Sequence, residues 1–266
     1  TAEVMEAGRN LKLVARVGVG LDNVDLIAAR ERGLRVTYTP QAPAAAVAEL
    51  TIGLFLSLLR GIHTANLSLH EGRWDRIMGR RLSEVTIGII GTGRIGSQVL
   101  RGLTGFGCPR ILVNDLNPRP DLVPELELEW VDKETIYKQA DVISLHLPMT
   151  RETQNMIRRS HLLTMKRGAL LVNTARGGII NEADLADVLE SGHLGGAAID
   201  VFANEPYAGP LADLDRTLLT CHMGSMSVDC RSRMEIEATE EVVRHYRAEP
   251  LHNLVPGEEY EEQERR

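Results

Sequence analysis

From Gly91 to Gly96 the chain reads Gly91-Thr92-Gly93-Arg94-Ile95-Gly96, directly after the apolar run Ile87 to Ile90 and at the opening of a segment with helical period. Among 24 glycines a GxGxxG match alone says little, but this placement suits a pyrophosphate. Gly91 permits the tight turn, Gly93 lets the backbone approach the phosphates, and Gly96 lets the helix pack close to its strand. The helix N-terminus adds unpaired N–H groups and partial positive charge. Asp115 stands 19 residues beyond Gly96, at the end of the next apolar run. A carboxylate there accepts from ribose hydroxyls and repels a 2'-phosphate, which favours NAD over NADP. Arg119 lies four residues on and could receive such a phosphate, which leaves the strictness of that preference open.

These residues need a scaffold of alternating strands and helices, and the sequence supplies one. Strands are expected at Thr86 to Ile90, Arg110 to Asn114, Asp141 to Leu147, Ala169 to Asn173, Gly196 to Val201 and Thr217 to Thr220, the pattern of a doubly wound α/β parallel sheet of Rossmann type. After Gly96, Val99, Leu100, Leu103 and Phe106 share a helical stripe that Gly107 and Pro109 stop. Glu182 to Glu190 repeats the pattern, with Gly192 as its stop. Earlier, Leu11 to Val17 and Val36 to Thr39 read as strands around a helix at Val24 to Arg32, which implies a second, smaller lobe. Arg231 to Tyr246 reads as a long helix, and the charged stretch Glu258 to Arg266 as disordered. Residues 1–39 with 229–266 are expected to form the smaller lobe, and 40–228 the nucleotide-binding domain with a linking helix.

Composition sets bounds. The 266 residues are 43% apolar and 25% charged, as in ordinary globular chains. A net charge of -7 argues against nucleic acid as a partner. Cys108, Cys221 and Cys230 are odd in number and lack CxxC spacing, so neither a disulfide framework nor a metal site is expected, and a cytoplasmic setting is the default. The most apolar stretch, Leu50 to Leu59, is about half of a bilayer span and reads as a buried helix. No secretory signal opens the chain, and no membrane partner is expected.

The segments RVGVGLDNVDL, GIIGTGRIG, VNTARGGIINEADL, GAAIDVFANEP and LLTCHMGS resemble, in order and spacing, the D-isomer-specific 2-hydroxyacid dehydrogenases. The resemblance spans about Thr1 to Pro256, and RVGVGLDNVD, AELTIGL and RMEIEA look most like the phosphoglycerate dehydrogenases. It implies an NAD-dependent oxidoreductase that moves hydride between NAD(H) and a small 2-hydroxy or 2-oxo acid, with a flavodoxin-like substrate lobe and a homodimeric assembly. Carried over, Arg176 is the substrate arginine, Glu205 the acidic partner, and His222 the general acid/base. The types suit the reaction. Imidazole exchanges protons near neutrality, a carboxylate fixes its tautomer, and a guanidinium fork matches a carboxylate. Val19 and Gly20 match backbone amides for the substrate carboxylate, and Asp200 matches the residue facing the nicotinamide. Pro148, Thr174, Ala175 and Gly224 join the cofactor-binding set.

Several residues admit two readings. His146, at another strand end, lines the cofactor site or is a structural histidine. Trp74 belongs to a dimer arm or is an ordinary buried tryptophan. His63, His70, His161, His193, His245 and His252 are expected to be solvated. Cys221 stands where the family usually has Pro, which leaves the backbone path into His222 open. Relatives that act as NAD-sensing corepressors keep the same triad, so a binding protein of this fold is the rival function. The family also opens with additional βα units, so the smaller lobe is expected to be truncated at its start. A half-lobe would expose apolar surface, which favours removed residues over a short natural chain. Substrate choice is then weakly determined: 3-phosphoglycerate first, hydroxypyruvate or glyoxylate next.

Overall fold

The computed structural model describes residues 1–264 and divides into two compact units, Thr1–Ala46 with Ser225–Arg266, and Val47–Gly224. The first boundary lies seven residues beyond the one read from sequence and the second four before it.

The smaller unit begins with helix α1 (Ala2–Ala7), strand β1 (Leu13–Ala15), helix α2 (Leu26–Glu31) and strand β2 (Arg35–Thr37). β1 and β2 pair in parallel, Val14 opposite Val36. Asp25 caps α2 by accepting from Ala28 N–H. Met5, Leu26, Ala29, Val36 and Tyr38 form its core.

The larger unit follows. Helix α3 (Pro43–Arg60), within which the division falls, leads to α4 (Ile62–His70). Strand β3 (Thr86–Ile90), helix α5 (Arg94–Leu103), strand β4 (Arg110–Asn114), strand β5 (Leu128–Trp130), helix α6 (Lys133–Gln139), strand β6 (Val142–Leu145), helix α7 (Arg159–Thr164), strand β7 (Leu170–Asn173), helix α8 (Glu182–Glu190), strand β8 (Gly196–Ile199) and strand β9 (Thr217–Leu219) complete it. All seven strands are parallel, in the order β5-β4-β3-β6-β7-β8-β9. Sequence order reverses between β3 and β6, and open α/β sheets bind ligands outside the strand ends at such a switch. Two apolar cores, one on each side of the sheet, bury Ile90, Leu112, Ile143 and Leu171 in one and Ile87, Ile89, Val113 and Val172 in the other. Strands buried on both faces read as continuous apolar runs, which is why they were legible.

The chain then returns to the smaller unit through α9 (Val228–Tyr246) and α10 (Gly257–Glu264). α10 corrects the expectation of a disordered tail. Tyr260 packs on the core, Gln263 accepts from Leu26 N–H at 2.6 Å and donates to the Val24 carbonyl, and Glu264 pairs with Arg30. Residues 265 and 266 of that tail lie outside the described residues. Glu241, buried on α9, accepts from the amides of His252 and Asn253 and fixes the turn ahead of α10.

Three further readings change. β5 gave no clear sequence signal. α3 runs eighteen residues and is by length and composition the one candidate membrane span among the described residues, yet Leu54, Phe55, Leu58 and Leu59 are buried in the unit's core. His63 and His245 are not simply solvated, since their Nδ1 atoms are buried, and burial lowers the His63 pKa.

Candidate active site

The glycine loop joins β3 to α5 at the switch point. Gly91 has φ +94°, a region open to glycine, and a Cβ there would run into the His146 carbonyl. A Cβ on Gly96 would run into the Gly91 carbonyl, so the helix can start only if residue 96 is bare. Around Gly93 a Cβ would meet nothing, which leaves open space at the loop tip. Gly93 is also the N-cap of α5 and supplies no side-chain acceptor to the first turn. Those amides suit a phosphate.

Thr92 is fully buried and ties the loop to β4. Its N–H and hydroxyl donate to Asp115 Oδ2 at 2.6 and 3.0 Å, and Asn117 N–H donates to Oδ1 at 2.9 Å. Burial alone would raise the Asp115 pKa, but these bonds and the Arg119 charge outweigh it and hold the carboxyl below its ordinary value. Arg119 donates to the Thr92 carbonyl, so the guanidinium that could meet a 2'-phosphate is engaged on the loop itself. Arg94 and Ile95 begin α5.

His146 follows β6. Ser144 Oγ lies 3.0 Å from its Nε2, whereas its Nδ1 is buried without a partner. Burial pushes its pKa down to about 3, so the ring is neutral at physiological pH. A buried, unpaired ring nitrogen beside Gly91 and Gly96 fits a dinucleotide lying against the loop. Pro148, two residues on, accepts from Thr153 Oγ1 through its carbonyl.

At the end of β7, buried Asn173 folds the next loop. Its Oδ1 accepts from Ala175 N–H at 3.0 Å and its Nδ2 donates to the Arg176 carbonyl at 2.9 Å. Thr174 Oγ1 lies 2.8 Å from Thr51 Oγ1 of α3, and the Arg176 guanidinium donates to the Ala175 carbonyl.

β8 and β9 supply the rest. Asp200 is fully buried. Its carboxylate accepts from Thr220 Oγ1, Met223 N–H and Gly224 N–H at 2.6, 2.8 and 3.0 Å, and its carbonyl accepts from His222 N–H. These bonds fix the segment after β9, where His222 takes φ +48° directly after the exposed Cys221. His222 Nδ1 lies 2.8 Å from Glu205 Oε2, while Glu205 Oε1 accepts from Phe202 N–H at 3.0 Å. Arg176, Glu205 and His222 thus follow three adjacent strands of one sheet. An imidazole held by a carboxylate on one nitrogen keeps the other for proton exchange.

Residues 52–224 match the family model for the NAD-binding domain of D-isomer specific 2-hydroxyacid dehydrogenases. The chain belongs to this family. Within it, the chain is 40% identical to a hydroxypyruvate reductase of Thermotoga maritima over 92% of its own length and 80% of that protein. It is 38% identical to a D-3-phosphoglycerate dehydrogenase of Methanocaldococcus jannaschii over 96% of its own length, but spans only 49% of that protein. The crystal structure of an Aquifex aeolicus D-lactate dehydrogenase with NAD and lactic acid superposes with a TM-score of 0.88 at 29% identity, covering 97% of this chain and 84% of that one. In this 2-hydroxyacid dehydrogenase family member, Asn173, Thr51 and Thr220 are positions that sequence reading missed. Thr51 and Thr220 act through tertiary hydrogen bonds that no spacing announces, whereas Asn173 bonds locally at a strand end, a position that the sequence does mark.

In the smaller unit, Val19 and Gly20 follow β1 in a loop shaped by Arg16, whose guanidinium donates to the Val17 and Gly20 carbonyls, and by Gly18 at φ +138°. Trp74 is 80% exposed, which removes the reading of a buried tryptophan.

Proposed function

We propose that the chain interconverts a D-2-hydroxy acid and its 2-oxo acid, with His222 as general acid/base, Glu205 as its orienting partner and Arg176 as the carboxylate ligand. NADH, when bound, supplies hydride to the carbonyl carbon. His222 Nε2 delivers the proton to the carbonyl oxygen, and takes it back from the hydroxyl in the reverse direction. The Glu205 bond at Nδ1 presents Nε2 as the exchanging atom in either state of the ring. Arg176 offers a two-pronged donor to the substrate carboxylate. Gly91 to Gly96, His146, Pro148, Thr174, Ala175, Asp200 and Gly224 form the cofactor side. Asp115 favours a bare ribose, and hence NAD.

The observation that carries this reading is the 2.8 Å contact between His222 Nδ1 and Glu205 Oε2 at the end of the parallel sheet. The candidate substrates are hydroxypyruvate, glyoxylate and 3-phosphoglycerate, the acids for which relatives at 38 to 40% identity are named. Steady NADH oxidation with hydroxypyruvate, glyoxylate, pyruvate or 3-phosphohydroxypyruvate tests the reaction and ranks the acids. His222→Gln should abolish most turnover and leave NADH affinity within about twofold; a wild-type chain that binds NADH tightly but turns over none of these acids overturns the reading in favour of an NAD-sensing binding protein.

Assembly as a homodimer is supported by a run of exposed apolar side chains on and after α4: Ile62, Leu67, Leu69, Trp74 and Met78. The free cysteines, with Cys221 at the surface, support a reducing, cytoplasmic setting.

A further inference from the structure

Glu205 sits on a short irregular segment between β8 and β9, in which residues 203 to 206 are all exposed. Such a segment has few bonds of its own, so whatever fixes it fixes the acid that holds His222. Three contacts do so. Phe202 stacks on Tyr207, with ring centroids 4.1 Å apart. Gly177, next to Arg176, leaves no space for a side chain, because a Cβ there would run into the Phe202 carbonyl and the Ala203 amide. Ala203 N–H donates to Glu182 Oε1 at 2.7 Å.

Two successive amides of this segment are therefore taken by two different carboxylates. Phe202 N–H goes to Glu205 itself and Ala203 N–H to Glu182. Glu182 is the first residue of α8, where Asn181 caps the helix by accepting from Asp184 N–H. An acidic side chain in a first helical turn is favoured by the helix dipole. It is thus a firm post against which an exposed turn can be tied.

We propose that Glu182 is a positioning residue for the reaction: by accepting from Ala203 N–H it fixes the turn on which Glu205 holds His222. The proposal rests on the acid/base reading of His222. It adds a residue that touches neither substrate nor cofactor and acts only through Glu205. The bond requires an acceptor and no charge, so glutamine can replace glutamate here and alanine cannot.

The test measures kcat and KM for hydroxypyruvate, NADH affinity by fluorescence, and melting temperature in the whole chain. Wild type, Glu182→Ala, Glu182→Gln, Glu205→Ala and the Glu182→Ala/Glu205→Ala double variant are compared. Glu182→Ala should lower kcat roughly tenfold, as expected for a displaced catalytic partner, with NADH affinity within about twofold. Glu182→Gln should stay within about twofold of wild type. The double variant should be no slower than Glu205→Ala, because a residue acting only through Glu205 has nothing left to position. Wild-type kcat in Glu182→Ala, failure of glutamine to rescue, or additive losses in the double variant would each overturn the assignment while leaving the reaction standing. A wild-type chain without turnover would overturn the reaction and this role together.

Discussion

His146 offers a prediction whose size and sign follow from its surroundings. Its ring is neutral because burial lowers the pKa from 6.5 to about 3. In the unfolded chain the same ring titrates near 6.5, so between pH 6.5 and 3 the unfolded state binds the extra proton and the folded state does not. Stability from this group is therefore complete above pH 6.5 and is lost as pH falls through that window. The slope is about 1.4 kcal/mol per pH unit, so going from pH 7 to pH 5 costs about 2 kcal/mol from His146 alone. For a unit of this size that corresponds to a fall in melting temperature of about 4 to 8 °C. Glutamine at 146 keeps polar character but cannot titrate. Urea or thermal unfolding of wild type and His146→Gln at pH 7 and pH 5 isolates the term, since every other titrating group is common to both. The variant should lose about 2 kcal/mol less on acidification, whatever its stability at pH 7. An equal loss in both proteins would show that the ring is charged or solvated in the folded state, and would refute the burial argument.

Two further perturbations address the cofactor and the assembly. Asp115→Ala removes an ionised acceptor and leaves the buried Thr92 hydroxyl and amide unpaired, so the KM for NADH should rise by about tenfold to a hundredfold. Initial rates with both cofactors should show the NADPH to NADH ratio moving toward NADPH, because the carboxylate that repels a 2'-phosphate is gone while Arg119 remains; an unchanged ratio would contradict that role. Trp74→Glu combined with Met78→Glu places charge on two of the most exposed apolar side chains, at 80% and 97% exposure, and should shift the protein from dimer to monomer in analytical ultracentrifugation. A monomeric wild type would end the dimer proposal.

Much of the larger unit could be read from its residues because its strands are buried on both faces and its helices on one. Six apolar runs fell within two residues of the observed strands, and α8 was bounded to the residue, with Gly192 as its stop. β5 escaped notice because Leu128, Glu129 and Trp130 form a short edge strand with only partial burial. α10 escaped because its order comes from Tyr260, Gln263 and Glu264 docking on α2, not from any periodicity in a glutamate-rich stretch.

The candidate site divides along the same line. Arg176, Glu205 and His222 were visible through the resemblance of their segments to the family, and their side-chain types suit the reaction it implies. The groups that hold them are less constrained in type and lie far off in sequence. Asp200 reaches 20, 23 and 24 residues ahead to Thr220, Met223 and Gly224, and Glu182 reaches 21 residues to Ala203. A His222 at φ +48° beside an exposed Cys221 is not a conformation the local sequence would choose. It persists because Asp200 binds the segment with both carboxylate oxygens and its carbonyl. Local propensity therefore builds the strands, while the placing of Arg176 and His222 depends on buried Asn173 and Asp200 at their ends. Substitutions at Asp200 or Thr220 should accordingly disturb turnover far more than they disturb the sheet.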